Sequence, residues 1–105
     1  MAASGALALC LADEYAKGPR EAFIDGPEFC HLHAAPEGSI HLTLPQRLGE
    51  QAIEMGWAEQ HPVVGTGSIT DCLLLVYAPR DDTELETVVN LIAMSRSFAQ
   101  GRYTA

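Results

Sequence analysis

Three of the four histidines in this chain, His31, His33 and His41, lie close together within residues 28–44. This stretch is typical of two short strands joined by a turn of about five residues. Side chains alternate between the two faces of a strand, so His31 and His33 share a face. Pairing of His33 with Ser39 would put His41 directly across from His31, and a register shifted by two residues would still keep all three on one face. Imidazoles grouped in this way can bind zinc, copper, nickel or non-haem iron, or can act as catalytic acids and bases.

Other residues extend this candidate site. His61, on a later loop, is a candidate fourth metal ligand or general base. Four residues are candidates for contact with a substrate: Phe29, Trp57, Tyr77 and Arg80. For two of them a structural role is the alternative to substrate contact. Trp57 could pack in the core, as a lone tryptophan usually does, and Arg80 could pair with a nearby carboxylate. For Arg80 the candidate carboxylates are Asp71, Asp81 and Asp82.

The predicted histidine face carries no carboxylate. A site of two histidines and one carboxylate, as in many non-haem iron oxygenases, would therefore need a distant residue such as Glu59 or Asp71. The alternative to any site is a set of solvated surface histidines. Three histidines on one face favour a functional cluster over that alternative.

Composition limits the classes of function. A chain of 105 residues with 48% hydrophobic and 19% charged residues is expected to form one soluble domain. Its net charge of −8 argues against binding to nucleic acids or to anionic membrane surfaces. The three cysteines are scattered, as expected for reduced thiols in a cytoplasmic protein, and the apolar residues 2–12 are too few to span a bilayer.

The pattern of apolar residues predicts the element order helix, three strands, helix, strand, helix. The first helix is predicted over residues 3–17, a weak strand over 22–24, and the histidine hairpin follows. Pro45 opens the second helix, which Gly56 ends, and residues 57–70 read as a long loop. Residues 72–77 form a continuous apolar run, typical of a buried strand.

The last helix has the clearest signals. Asp81 and Glu84 are spaced as a capping box. The predicted core stripe consists of Leu85, Val88, Val89 and Ile92, widened by Leu91, Met94 and Phe98. The fold class is therefore α+β, with two layers, a mainly antiparallel sheet and helices on one face. The other face, which carries the histidines, would be free.

Several short motifs resemble one protein family. They are His31-Leu32-His33, the alternating run from Ile40 to Leu44, Gly56-Trp57, His61-Pro62, and Tyr77-Ala78-Pro79-Arg80 before an acidic helix start. In this order they are similar to the luciferase domain of fungal bioluminescence and its small bacterial relatives, over about residues 28–98. All four histidines fall on histidines of the family pattern.

The resemblance implies an enzyme that uses oxygen. The fungal luciferase adds O₂ to a 3-hydroxy-2-pyrone polyketide without a flavin or nicotinamide, and CO₂ is lost from a strained peroxide. The resemblance thus implies His31, His33, His41 and His61 as catalytic residues. This chain lacks the long upstream region and apolar N-terminal segment of the fungal form, so membrane attachment and light emission are not expected.

Two classes of function follow. The first is a small enzyme acting on an aromatic or polyketide-like metabolite by oxygenase or lyase chemistry, with O₂ as co-substrate and either no cofactor or one divalent metal ion held by His31, His33 and His41. The second is a module that binds a metal or small ligand through the same histidines without turnover. The enzyme is the preferred hypothesis.

Overall fold

The computed structural model of the chain describes residues 6–34, 36–65, 67 and 69–103. Its core architecture is a five-stranded sheet in which every neighbouring pair of strands is antiparallel. The strands are β1 (Leu7–Cys10), β2 (Glu28–Leu32), β3 (Ile40–Thr43), β4 (Ala58–Gln60) and β5 (Leu73–Val76), in the order β1-β2-β3-β5-β4. The helices are α1 (Gln46–Glu54) and α2 (Asp82–Ala99), with one 3₁₀ turn at Arg20–Ala22. The predicted α+β class with a mainly antiparallel sheet is confirmed.

One hydrophobic core joins the sheet to both helices. From the strands it includes the buried apolar side chains Cys30, Ile40, Leu42, Leu74 and Val76, joined by Leu44 just after β3. Ala52 of α1 and Val88, Leu91, Phe98 and Ala99 of α2 belong to the same cluster. Both helices therefore pack on the face that strand alternation makes apolar, which leaves the histidines on the opposite side of the sheet.

The predicted N-terminal helix is wrong within the described residues; residues 3–5 lie outside them. Residues 7–10 instead form β1, which pairs antiparallel with β2 at one edge of the sheet. Leu7 and Tyr15, two of the apolar residues whose spacing suggested the helix, are 61% and 58% exposed. A short apolar run has no decisive period, and here the backbone of β2 supplied the partners that decided its conformation.

The weak strand predicted over residues 22–24 is also wrong. The chain makes a 3₁₀ turn at Arg20–Ala22 and a single bridge between Asp25 and Glu28. The turn at residues 25–28 is present, and Gly26 has a φ of 56°, which favours glycine. β1 therefore takes the place of the missing strand in the three-stranded meander.

The middle of the chain follows the prediction closely. α1 begins directly after Pro45, and Gly56, with a φ of 84°, ends the turn after it. The apolar run became β5, an interior strand between β3 and β4. The predicted loop over residues 57–70 begins instead with the edge strand β4, which is too short and polar to show a period. Neither helix in the described part of the chain has the length and apolar character needed to cross a bilayer.

One of the two hydrogen bonds of the predicted capping box forms at the start of α2. The Asp81 side chain accepts a hydrogen bond of 2.8 Å from the Glu84 backbone N–H. The Glu84 carboxylate, however, accepts from the N–H of Arg80 rather than from that of Asp81. The helix therefore begins where the sequence predicts, with a cap that reaches one residue further back.

The buried side of α2 is rotated from the predicted stripe. Leu85 and Val89 are 48% and 53% exposed, whereas Val88 and Leu91 are buried. The buried stripe continues through Ser95, a polar residue that apolar periodicity cannot find.

Ser95 forms hydrogen bonds in the core with the ends of β2 and β3 that lie away from the hairpin turn. Its hydroxyl donates to the Phe29 carbonyl at 3.3 Å and lies 3.4 Å from Thr43 Oγ1. Thr43 in turn donates to the Ala22 carbonyl at 2.7 Å. The side chains of Phe29 and Thr43 are buried. By strand alternation they would share the open face with His31 and His41.

Candidate active site

The histidine hairpin has the first of the two predicted registers. His31 pairs directly with His41 across β2 and β3. One step further along, the His33 N–H donates to the Ser39 carbonyl at 2.9 Å. In the turn, Gly38 has a φ of 67° and donates to the Ala34 carbonyl. Alternation predicts the shared face of the three histidines in either register, and the structure selects the register in which His31 faces His41.

The three hairpin imidazoles are in mutual contact. His31 Nε2 lies 2.8 Å from His41 Nδ1, a hydrogen bond in which one ring donates and the other accepts. The ring centroid of His33 lies 4.6 Å from that of His41 and 5.1 Å from that of His31. One ring nitrogen from each of the three lies within 4.8 Å of the others.

His61, which directly follows β4, also lies against this cluster. Its ring centroid is 4.4 Å from that of His41, with the ring planes inclined by 78°. Its backbone N–H donates to the Leu73 carbonyl of β5, which anchors the residue at the end of β4. Its Nδ1 accepts a hydrogen bond of 3.2 Å from the Val63 N–H, so the neutral ring carries its proton on Nε2.

Two carboxylates stand beside the cluster, contrary to the prediction that none would. Glu28 Oε2 is 3.6 Å from His31 Nδ1, and Glu37 Oε2 is 3.7 Å from His33 Nδ1. Glu37 also accepts a hydrogen bond from the Ser39 hydroxyl, which lies 3.4 Å from His41 Nε2. Glu37 is in the turn and could have been found by its spacing of four residues from His33. No hairpin signal indicates Glu28, because alternation places it on the other face.

The surroundings of two rings of the cluster, those of His41 and His61, favour their neutral form. Burial, followed by repulsion from His31, His61 and His33, lowers the pKa of His41 to about 4, against a smaller opposing effect of Glu37. Burial also lowers the pKa of His61, with further contributions from His31 and His33. A neutral imidazole has a free lone pair, which both metal binding and general-base catalysis need.

The predicted substrate residues fall in two different settings. Phe29 is 3% exposed and lies in the core, so it presents no wall to a ligand. Trp57, Tyr77 and Arg80 line one cleft of about 300 Å³, and no histidine is among its described lining residues. Tyr77 donates to Glu59 Oε1 at 2.9 Å.

Arg80 is occupied by an ion pair. Its Nη2 lies 2.7 Å from Glu84 Oε2, and its Nε donates to the same carboxylate. The partner is thus Glu84 rather than any of the three aspartates that the sequence suggested. The pair is exposed on the arginine side, so it contributes little to stability.

One known protein family matches the part of the chain that carries this site. The family model described as Luciferase domain matches residues 26–95 of the 105. The chain belongs to the luciferase domain family. Neither the comparison with curated proteins nor the comparison with solved structures finds a match.

The luciferase domain match covers the site and most of its support. It begins just before β2 and ends within α2, so it includes all four histidines and the two flanking glutamates. β1 lies outside the matched residues, although it pairs with β2 along the strand that carries His31. In this luciferase-domain chain, an element beyond the match therefore supports one edge of the histidine site.

The histidines of this luciferase domain fit a divalent metal ion in chemistry and need a small adjustment in geometry. Three neutral imidazoles are a known donor set for zinc and related ions. Tetrahedral coordination separates two ligand nitrogens by roughly 3.3 Å, compared with 2.8 Å between His31 Nε2 and His41 Nδ1. Metal binding therefore needs these rings to separate, or His41 to present its Nε2 instead.

Proposed function

We propose that this chain is a small enzyme that acts on an enolisable aromatic or polyketide-like metabolite by oxygenase or lyase chemistry, without flavin or nicotinamide. The observation that carries the proposal is the 2.8 Å contact between His31 Nε2 and His41 Nδ1 within a cluster of four imidazoles. Membership of the luciferase domain family supports the same class of chemistry. A substrate of the 3-hydroxy-2-pyrone type fits it, because such a ring has an acidic hydroxyl group next to a carbonyl group.

In the proposed reaction, the histidines move a proton. A neutral imidazole accepts the proton of the substrate hydroxyl, and the resulting enolate is electron-rich enough to react with O₂. His41 takes this role because its ring contacts those of the other three histidines and its lone pair is free at neutral pH. The bond to His31 fixes the orientation of the ring, and His33 and His61 stand close enough to donate hydrogen bonds to the anion.

A divalent metal ion at the same histidines is the alternative to this proton transfer, because a ring nitrogen that binds a metal cannot also accept a proton. His31, His33 and His41 would hold it, and it would polarise the oxygen atoms of a bound enolate. The remaining tasks of orienting the substrate and excluding water fall to the protein itself.

A non-catalytic module that binds a metal or small ligand is the second candidate. It is favoured by one observation, the three ring nitrogens within 4.8 Å of one another. The ligand in either case is a small molecule or ion rather than nucleic acid, in line with the net charge of −8. A cytoplasmic location fits the three unpaired cysteines of the chain.

Turnover of a defined probe tests the proposal. The full chain is mixed with a 6-substituted 3-hydroxy-2-pyrone in air-saturated buffer, and O₂ uptake and CO₂ release are followed together. We expect stoichiometric loss of both probe and O₂, and a fall of about 100-fold or more in His41→Ala. Glu54→Gln, an exposed change at the end of α1, is the matched control and should leave turnover unchanged.

The same experiment separates the two candidates. Binding of the probe or of a metal ion without O₂ uptake would favour the binding module. A chain that neither binds nor turns over the probe, with or without added metal, would refute the proposed substrate class.

A further inference from the structure

One buried nitrogen of the cluster lacks a hydrogen bond. His31 Nδ1 has no partner within hydrogen-bond distance among the residues that the structure describes. The Glu28 carboxylate faces it at 3.6 Å, and Glu28 is itself only 7% exposed. This separation is about 0.6 Å longer than an ordinary N–H···O bond, which a small rotation of either side chain closes. Hydrogen bonds in catalytic sites are often long before a substrate binds.

An irregularity in the sheet accounts for the position of Glu28. Two successive pairs between β1 and β2, Leu9 with Cys30 and Cys10 with Glu28, skip one residue of β2. Such a bulge interrupts the alternation of side chains and redirects one of them. Strict alternation would have put Glu28 and His31 on opposite faces of the sheet. β1 therefore determines that a carboxylate stands behind this histidine.

Two proton arrangements are compatible with the bond between His31 and His41. In the first, His41 Nδ1 donates to His31 Nε2, and His31 Nδ1 carries a proton toward Glu28. In the second, His31 Nε2 donates, and the bare Nδ1 lone pair of His31 faces the carboxylate. The second arrangement places two acceptors against each other in a buried setting, where unpaired polar groups are costly. The position of Glu28 therefore favours the first.

The first arrangement leaves His41 Nε2 with a free lone pair. The Ser39 hydroxyl is 3.4 Å from this nitrogen but gives its proton to Glu37. A serine hydroxyl has only one proton to donate, so it cannot also occupy the lone pair of His41. A substrate hydroxyl can then take that position.

We propose that Glu28 is a positioning residue, which holds a proton on His31 Nδ1 and so directs the basic lone pair of the His31–His41 pair to His41 Nε2. The tautomer assignment stands on the geometry alone. Its consequence for turnover rests on the proposed function, in which His41 accepts the proton of the substrate.

The tautomer is measured directly by NMR of the full chain labelled with ¹⁵N at its histidines, in metal-free buffer at pH 8. Long-range ¹H–¹⁵N correlations distinguish a protonated from a bare ring nitrogen, and the His31→Asn variant assigns the signals of His31. We expect His31 and His41 both to carry the proton on Nδ1. A spectrum in which His31 carries its proton on Nε2 would overturn the proposal, and this readout needs neither a variant of Glu28 nor an active enzyme.

Two matched variants test the role of the carboxylate. Glu28→Leu should allow the Nε2–H tautomer of His31 to appear, whereas Glu37→Leu, which removes the carboxylate beside His33 instead, should leave His31 unchanged. In the pyrone assay, Glu28→Leu should lower kcat by about 10- to 100-fold with little change in KM. An unchanged tautomer in Glu28→Leu would contradict the proposal. Absence of pyrone turnover in the unmodified chain, with the expected tautomer present, would refute the proposed function and leave the role of Glu28 intact.

Discussion

The rings of His41 and His61 are in edge-to-face contact, with centroids 4.4 Å apart, although a helix and a strand separate the two residues along the chain. This contact brings the fourth histidine onto the hairpin cluster. His61 nevertheless differs from the three hairpin histidines. Each of those three has a ring nitrogen within 4.8 Å of the other two, and His61 is not part of this group.

Metal binding should therefore distinguish His61 from the hairpin histidines. We expect the chelator-treated chain to bind one Zn²⁺ or Co²⁺, measured by calorimetry and by metal content. His31→Ala, His33→Ala and His41→Ala should each abolish this stoichiometric binding, because each removes a ligand of the site, whereas His61→Ala should retain it. Loss of the ion in His61→Ala would show that the ligand set is wrong. Absence of binding in the unmodified chain would leave only acid–base roles for the cluster.

Acid should destabilise the metal-free fold through His41. The pKa of His41 is about 4 in the folded chain, compared with 6.5 for an unperturbed histidine. Between these values the unfolded chain binds a proton that the folded chain does not, so the free energy of unfolding falls as the pH decreases from about 6.5 to about 4.

Urea denaturation between pH 4 and pH 7 measures this effect. In His41→Asn the dependence on pH should be weaker than in the unmodified chain, since that titrating group is gone. Groups that do not interact with His41 affect both proteins alike, so the difference between the two curves reports on His41 together with its coupled neighbour Glu37. Parallel curves would mean that His41 titrates normally in the folded chain.

The rotated stripe of α2 predicts which leucine of this helix stabilises the fold. Leu91 is 7% exposed and belongs to the core, so Leu91→Ala should lower the free energy of unfolding by about 2–5 kcal/mol through the cavity it leaves. Leu85 is 48% exposed, and Leu85→Ala should change it by less than about 0.5 kcal/mol. Chemical denaturation of the two variants, which carry the same substitution in one helix, gives both numbers. Equal losses would mean that the observed helix rotation is wrong.

Close packing at Gly18, far from the histidine site, predicts that a larger residue there destabilises the fold. Its N–H donates to the Ala99 carbonyl at 2.8 Å, and a Cβ at this position would lie 2.2 Å from the Phe98 carbonyl oxygen. Gly18→Ala must therefore push the chain away from the end of α2 and break this bond, with a cost of about 1–3 kcal/mol. The neighbouring exposed change Lys17→Ala serves as the control and should be nearly neutral. A Gly18→Ala chain as stable as this control would be inconsistent with the contact.

Local rules were sufficient for the hairpin and for the ends of the helices. The shared face of the three hairpin histidines follows from a period of two residues and a short turn, both of which are properties of neighbouring residues. The pairing of His31 with His41 is one of the two registers that these rules allow. The start of α1 after Pro45 and the cap of α2 at Asp81 are likewise set within a few residues. The sequence thus determined that three histidines share a face, and the residues that match the luciferase domain family are in that same region.

Tertiary packing decided the features that depend on partners distant in the chain. Residues 7–10 have no period that separates strand from helix, and pairing with β2 made them a strand. Through the bulge in that pairing, β1 also placed Glu28 behind His31, which no pattern within β2 indicates. The rotation of α2 depends on which side chains fit against the sheet, where Ser95 is buried because the Phe29 carbonyl accepts its hydroxyl proton. The physical reason is common to all three: the free energy of these arrangements comes from contacts between segments, and a sequence pattern records only the contribution of each segment by itself.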